Sequence, residues 1–132
     1  MTTSDLPAEG QPDVSTEGTE APFDDVITLS TSTGDDGVVT VTVVGEVDTF
    51  TAPVLRSTLD SQLEQQPKEL VIDLSGVQFL GSAGLAVLVE TQKSARAREV
   101  GLQLIATTRA VTRPLEVTGL IDLFTIADST AR

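Results

Sequence analysis

Residues 79–85 read Phe-Leu-Gly-Ser-Ala-Gly-Leu, a stretch that joins two segments with different patterns. The apolar run before it, residues 70–74 (LVIDL), is typical of a strand that is covered on both faces. The segment after it, from Ser82 to about Arg98, repeats apolar residues every three or four positions and is predicted to be the longest helix. A single serine, Ser82, therefore lies where a buried strand turns into a helix.

A serine at such a turn is the nucleophile of many hydrolases, within the pattern Gly-x-Ser-x-Gly. Gly84 fits that pattern, but Leu80 stands where the first glycine should be. A serine nucleophile also needs a neighbouring base, and the chain contains no histidine. Its two lysines, Lys68 and Lys93, fall at the far end of the strand and about three turns along the helix. We therefore expect no enzymatic activity and no catalytic residue.

Ser82 has two other interpretations. Its hydroxyl could cap the helix by accepting a hydrogen bond from a backbone N–H, a contribution of about 1 kcal/mol. Gly81 and Gly84 would then allow close packing around the turn. Alternatively, Ser82 is a regulatory switch. The residues of this turn, taken alone, favour the helix cap.

The segments before this turn predict a strand pair and a helix. Two β-rich runs that end at Asp48 are separated by Gly-Asp-Asp-Gly at 34–37, the turn chemistry of an antiparallel hairpin. Thr51 is predicted to cap the following helix, with Pro53 near its start, where the missing N–H costs little. That helix is expected to end near Gln66.

The segments after the long helix complete an α/β pattern. Residues 101–106 are a predicted strand, and a short helix is expected from about Thr112, because Pro114 is tolerated only among the first helical positions. Gly119 is expected just after its last turn. Residues 123–126 are a candidate edge strand. This order predicts a single α/β domain with a mixed, mostly parallel sheet of four to five strands, an antiparallel N-terminal pair, and helices packed against the sheet.

Composition divides the chain into a tail and a domain. Residues 1–25 hold seven acidic residues, three prolines and no basic residue, so they lack the apolar side chains that would offset the entropy of ordering. We expect a disordered acidic tail at 1–25 and one folded domain at 26–132. The net charge of −12 repels phosphate backbones, and no Trp or Tyr is present to stack on bases. Direct nucleic-acid binding is therefore not expected.

Residue types and segments that the sequence lacks also limit the cellular location and the chemistry that we expect. The chain has no cysteine, which removes disulfides and thiolate metal sites. The N-terminus lacks the basic and apolar pattern of a signal peptide, and no segment is apolar over the length that a bilayer demands. We expect a cytoplasmic protein without membrane contact, metal or cofactor, and monomeric when free.

Four separate segments together resemble the anti-anti-sigma factors, also called anti-sigma factor antagonists, whose domain is called STAS. The resemblance runs from about Val26 to Asp128. The segments are Gly45-Glu46-Val47-Asp48, residues 71–75 with Val77, Phe79-Leu80 leading to Ser82–Leu88, and Gly119-Leu120 preceded by Val111, Arg113 and Leu115.

The resemblance implies a function for Ser82. In that family the serine directly after the turn is phosphorylated by an anti-sigma factor that is itself a serine kinase of the GHKL ATP-binding type. The family usually has an acid before this serine, where this chain has Gly81. The implied protein binds an anti-sigma factor while Ser82 is unphosphorylated, and so releases a sigma factor for transcription. The candidate partner-binding residues are Glu46, Asp48, Thr49, Gly81, Ser82, Ala83 and Gly84.

Two alternatives belong to other functional classes. The domain could sense a nucleotide or another small molecule at the same end of the sheet, although the chain has no glycine-rich phosphate loop of the usual spacing. It could also be a scaffold subunit of a larger STAS-containing assembly, which the short chain disfavours.

Overall fold

The computed structural model describes residues 27–127, and the tail predicted at residues 1–25 lies outside this range. The described part of the chain contains nine elements. In chain order they are β1 (Ile27–Thr33), β2 (Val38–Val47), α1 (Ala52–Glu64), β3 (Glu69–Leu80), α2 (Ser82–Ala97), β4 (Gly101–Ile105), α3 (Arg109–Val117), a 3-10 helix (Leu120–Leu123) and β5 (Thr125–Ala127).

The strands form one five-stranded sheet in the order β1-β2-β3-β4-β5. β1 is antiparallel to β2, and the turn between them is the predicted Gly-Asp-Asp-Gly at 34–37, in which Gly37 has a φ of 83°. All other neighbouring strands are parallel. The predicted fold class is therefore confirmed, and the apolar run of residues 70–74 lies in the central strand.

The main core lies between the sheet and the helices. Leu55, Leu59 and Leu63 recur at four-residue spacing along α1, and each is at most 1% exposed. Leu85 and Leu88 contribute the buried face of α2. Because the apolar side chains of each helix form one stripe, both helices bury that stripe and leave their polar residues in water.

β3 is longer than the strand predicted at residues 70–74. It continues to Leu80, and its pairing with β2 shifts register twice, after Thr42 and after Gly45. Such bulges break the alternation of apolar and polar side chains, so residues 75–80 do not look like a strand in sequence. The extension carries β3 directly to the start of α2.

The predicted start of α3 at Thr112 is wrong, because the helix begins at Arg109 and Pro114 lies inside it. Proline lacks the N–H that would bond to the carbonyl four residues earlier, a loss that usually ends a helix. Here Val111 and Leu115 are both fully buried, and their packing keeps the interrupted helix in place.

The other boundaries differ from the predictions by small amounts. α1 ends at Glu64 rather than near Gln66, because Gln66 takes a positive φ of 51° that no helix continues. Gly119 follows α3 with a φ of 77°, as predicted. The unpredicted 3-10 helix takes Leu123 and leads into β5, a short edge strand that begins two residues later than predicted and ends one residue later.

Candidate functional site

The carboxyl ends of β2 and β3 meet at one edge of the sheet. Val47 and Leu80, the last residues of these parallel strands, are paired. The backbone N–H of Gly81 then donates a 2.9 Å hydrogen bond to the carbonyl of Val47. The loop at 48–51 and the start of α2 at Ser82 therefore emerge side by side.

Gly84 lets the first turn of α2 sit close to these strand ends. A Cβ atom at Gly84 would lie 2.6 Å from Cγ1 of Val47 and 2.7 Å from Cδ1 of Leu80, closer than carbon atoms approach. Gly84 is itself buried. It positions the helix, whereas the exposed surface of the site is formed by its neighbours.

Ser82 is the first residue of α2 and is exposed. The cap hypothesis is wrong, because the N-cap residue is Gly81 and no side chain caps this helix. Gly81 has an extended backbone, and its carbonyl accepts the N–H of Leu85 at 3.0 Å, so the first turn closes one residue earlier than the cap hypothesis required. The Ser82 hydroxyl is thus not used to hold the fold.

The loop between β2 and α1 is held by a network around Asp48 and Thr51. Oδ1 of Asp48 accepts the backbone N–H groups of Phe50 and Thr51 at 2.9 and 3.0 Å. Oγ1 of Thr51 accepts the N–H of Asp48 at 2.9 Å and donates to the carbonyl of Glu46 at 2.8 Å. These bonds fix the backbone of the loop that lies beside Ser82.

Thr51 and Asp48 both hold the backbone of this loop. Thr51 occupies the N-cap position of α1, but its fully buried side chain bonds back into the loop rather than to the helix, so its predicted capping role is wrong. The backbone N–H of Thr51 above all, and then that of Phe50, hold the pKa of the Asp48 carboxyl below its usual range. Asp48 is therefore ionised at neutral pH and organises the loop.

A groove of about 240 Å³ lies between the first turns of α1 and α2, and its lining includes Ala83, the residue after Ser82. Arg56 forms an ion pair with Glu90 of α2. Two of the candidate site residues, Thr49 and Ala83, line the groove. Its lining residues are Thr49, Ala52, Pro53, Arg56, Ala83, Ala86 and Val87.

Large apolar side chains are exposed around the site, and the sequence analysis missed them. Phe50 is 77% exposed in the loop, and Phe79 is 50% exposed at the end of β3, paired with the exposed Glu46 of β2. The ring of Phe79 lies over Gly81, where a Cβ atom would be 3.1 Å from its Cε2. Phe50 could have been found from its position, an aromatic residue in a turn outside any apolar repeat. Exposed aromatic groups of this kind mark interaction surfaces.

The sequence profile of the STAS domain matches residues 30–132, most of the chain. The chain belongs to the STAS domain family. The resemblance inferred from its motifs is thereby confirmed.

Relatives of this STAS domain are anti-sigma factor antagonists. It is 35% identical over 89 residues to the anti-sigma-F factor antagonist RsfB of Mycobacterium tuberculosis, covering 67% of this chain and 72% of RsfB. It is 33% identical over 100 residues to the anti-sigma-B factor antagonist of Listeria monocytogenes, covering 76% of this chain and 88% of that protein. The crystal structure of an anti-sigma factor antagonist from Mycobacterium paratuberculosis superimposes with a TM-score of 0.72 at 36% identity, over 80% of this chain and 89% of that one.

Two other hollows within residues 27–127 contain none of the candidate site residues. One of them, of about 360 Å³, lies at the opposite end of the sheet, beside Lys68 and Gly101. Within residues 27–127, no three His, Cys, Asp or Glu side chains are grouped so that they could hold a metal ion. No helix in that range combines the length and the apolar character needed to cross a bilayer.

Proposed function

We propose that this STAS domain is an anti-sigma factor antagonist that binds an anti-sigma factor while Ser82 carries a free hydroxyl, and so releases a sigma factor for transcription. The observation that carries the proposal is the position of Ser82. It is exposed, it begins a 16-residue helix, and it caps nothing. A modification there changes the surface of the domain without breaking a bond that the fold needs.

The fold is expected to tolerate a phosphate at this position. Phosphorylation adds roughly −1.5 to −2 charge at neutral pH. The first turn of α2 contains no acidic residue, and a helix N-terminus favours negative charge. The phosphorylated domain should therefore remain folded and keep the same strand-to-helix joint.

A partner would meet a different surface after phosphorylation. The unmodified hydroxyl lies at the end of the sheet that also exposes the rings of Phe50 and Phe79, which favour a partner with an apolar contact area. A dianion beside these rings would have to be desolvated when the partner binds. A penalty of about 3 kcal/mol would weaken binding more than a hundredfold.

The candidate residues divide into two roles in this proposal. Glu46, Thr49, Gly81, Ser82 and Ala83 would contact the anti-sigma factor. Asp48 and Gly84 would act indirectly, because the carboxyl of Asp48 is engaged by the loop and Gly84 is buried against the strands.

The finer features of the proposal concern the partner and the setting. The anti-sigma factor would itself be the GHKL-type serine kinase that modifies Ser82. The STAS domain would be monomeric when free, would act in the cytoplasm, and would have no catalytic activity of its own. With Gly81 in place of an acid, the kinase would meet the ring of Phe79 rather than a carboxylate before the serine.

The proposal is tested by binding and release with purified components. The unmodified protein is titrated by calorimetry with each anti-sigma factor of the organism that makes it, and then with that factor in complex with its sigma factor. We expect one anti-sigma factor to bind and the sigma factor to be released from it. Failure to bind any of them would contradict the proposal.

A further inference from the structure

Arg56 lies on the wall of the groove and is held by a weak ion pair. Its partner Glu90 is on α2, and the two side chains are 47% and 51% exposed. Asp60, one turn further along α1, adds a second favourable charge. Because water screens exposed pairs and ordering two long side chains costs entropy, such pairs contribute little. A stronger anion within reach can therefore take Arg56 from Glu90.

Ser82 and Glu90 lie on either side of the α2 residues that line the groove together with Arg56. They are eight residues apart, about 12 Å of helix, and they share one exposed strip of α2 with Ala86. Arg56 lines the groove together with Ala86 and Val87, which are midway between them. Arg56 therefore faces the part of α2 between Ser82 and Glu90, and its guanidinium, which is paired with Glu90, would swing along α2 toward Ser82 to meet a phosphate there.

We propose that phosphorylation of Ser82 draws Arg56 away from Glu90 to the phosphate, and that the Arg56 side chain then covers the groove over Ala83 and Ala86. Arginine binds a phosphate through two parallel hydrogen bonds, and the dianion carries more charge than the carboxylate of Glu90. The phosphate would then act twice, by adding charge beside the apolar surface and by closing the groove to a side chain of the partner. This inference rests on the proposed function, because it requires that Ser82 is modified.

The modification itself does not involve Arg56. Oγ of Ser82 forms a bond to the γ-phosphorus of a nucleoside triphosphate, and the bond from that phosphorus to the bridging oxygen breaks. The nucleoside diphosphate leaves with that oxygen, and the hydroxyl proton passes to a base of the kinase or to water. Arg56 pairs only with the product, so the inference concerns the phosphorylated protein.

The test uses phosphoserine placed at position 82 during translation, which needs no kinase. The second pKa of the phosphate, near 6 in an exposed phosphoserine, is measured by a phosphorus NMR titration. A paired cation favours the dianion and lowers this pKa. We expect the phosphate pKa to be about 0.5 unit or more lower in the otherwise wild-type protein than in Arg56→Gln, with Arg56→Lys between them. Glu90→Gln, which removes the competing carboxylate, should lower the phosphate pKa further.

Arg96→Gln is the matched control, since it removes an exposed arginine from the last turn of α2 and changes the net charge equally. Its phosphate pKa should equal that of the wild-type background. Equal phosphate pKa values in the wild-type and Arg56→Gln backgrounds would overturn the inference, and so would an equal shift in Arg96→Gln. The proposed function is judged separately by partner affinity. If phosphorylation weakens partner binding while Arg56 leaves the phosphate pKa unchanged, only the inference fails.

Discussion

Gly84 packs so closely against Val47 that any larger residue at position 84 would force a neighbouring side chain to shift. A Cβ atom there would lie 2.6 Å from Cγ1 of Val47. This contact seats the first turn of α2 on the ends of β2 and β3. It therefore determines how near Ser82 lies to the loop that begins at Asp48.

Replacing Gly84 with alanine should destabilise the domain by about 1–3 kcal/mol, because the added methyl group overfills the joint. Helix propensity alone predicts the opposite, a gain of about 1 kcal/mol, so the sign of the change is decisive. Urea unfolding measures it. The control Ala86→Gly, at an exposed position of the same helix, should lose about 1 kcal/mol through propensity. A Gly84→Ala variant at least as stable as wild type would contradict the contact.

Replacing Leu88 with alanine should cost roughly 2–5 kcal/mol, since its side chain is fully buried in the core and the change leaves a cavity. Val117→Ala is the comparison, because Val117 is 73% exposed and should change the stability by less than about 0.5 kcal/mol. Thermal unfolding of the two variants measures both losses of stability. Similar losses in the two would mean that α2 does not bury the face that contains Leu88.

Much of the fold could be predicted because its signals are local. The Gly-Asp-Asp-Gly turn at 34–37 needs only its own residues, and the leucines of α1 show their spacing directly. The start of α3 could not be predicted, because Pro114 opposes a helix locally and the burial of Val111 and Leu115 overrides it. Tertiary packing of this kind is not visible in a single stretch of sequence.

The position of Ser82 between a strand and a helix was predicted, whereas the details around it depend on contacts between distant segments. Ser82 was found from the strand-to-helix pattern and the family resemblance. The prediction that Ser82 caps the helix was wrong, because the N-cap position falls on Gly81, whose N–H is bonded to Val47 of another strand. The exposure of Phe79 and the pairing of Arg56 depend on the tertiary arrangement and could not be derived from the sequence.

The contribution of Asp48 to the stability of the fold should depend on pH in the acidic range. The N–H groups of Thr51 and Phe50 lower the pKa of the Asp48 carboxyl from its ordinary value of 3.8 in the folded state. A carboxyl with a lower folded pKa stabilises the fold above its unfolded pKa, and this contribution is lost as the pH falls through the folded pKa. The difference in unfolding free energy between wild type and Asp48→Asn should be constant above about pH 5 and shrink below about pH 4. A difference that is unchanged down to about pH 2 would contradict the assignment.

Phe50 should contribute to binding and not to folding. Because its ring is 77% exposed, Phe50→Ala should leave the unfolding free energy within about 0.5 kcal/mol of wild type. The affinity for the anti-sigma factor should fall by more than about fivefold, a loss of over 1 kcal/mol. Calorimetry measures the affinity of Phe50→Ala and of wild type for the anti-sigma factor. Val117→Ala is a similarly exposed control that should bind normally. Normal binding by Phe50→Ala would remove this side of the site from the interface.

The affinity of the anti-sigma factor for the Ser82-phosphorylated and the unmodified protein tests the central claim most directly. Ser82→Ala should bind like the unmodified protein, and its stability should stay within about 0.5 kcal/mol, because the hydroxyl holds no part of the fold. The phosphorylated protein should stay folded and bind more than about a hundredfold more weakly. Equal affinities of the phosphorylated and unmodified proteins would contradict the proposal that Ser82 controls partner binding.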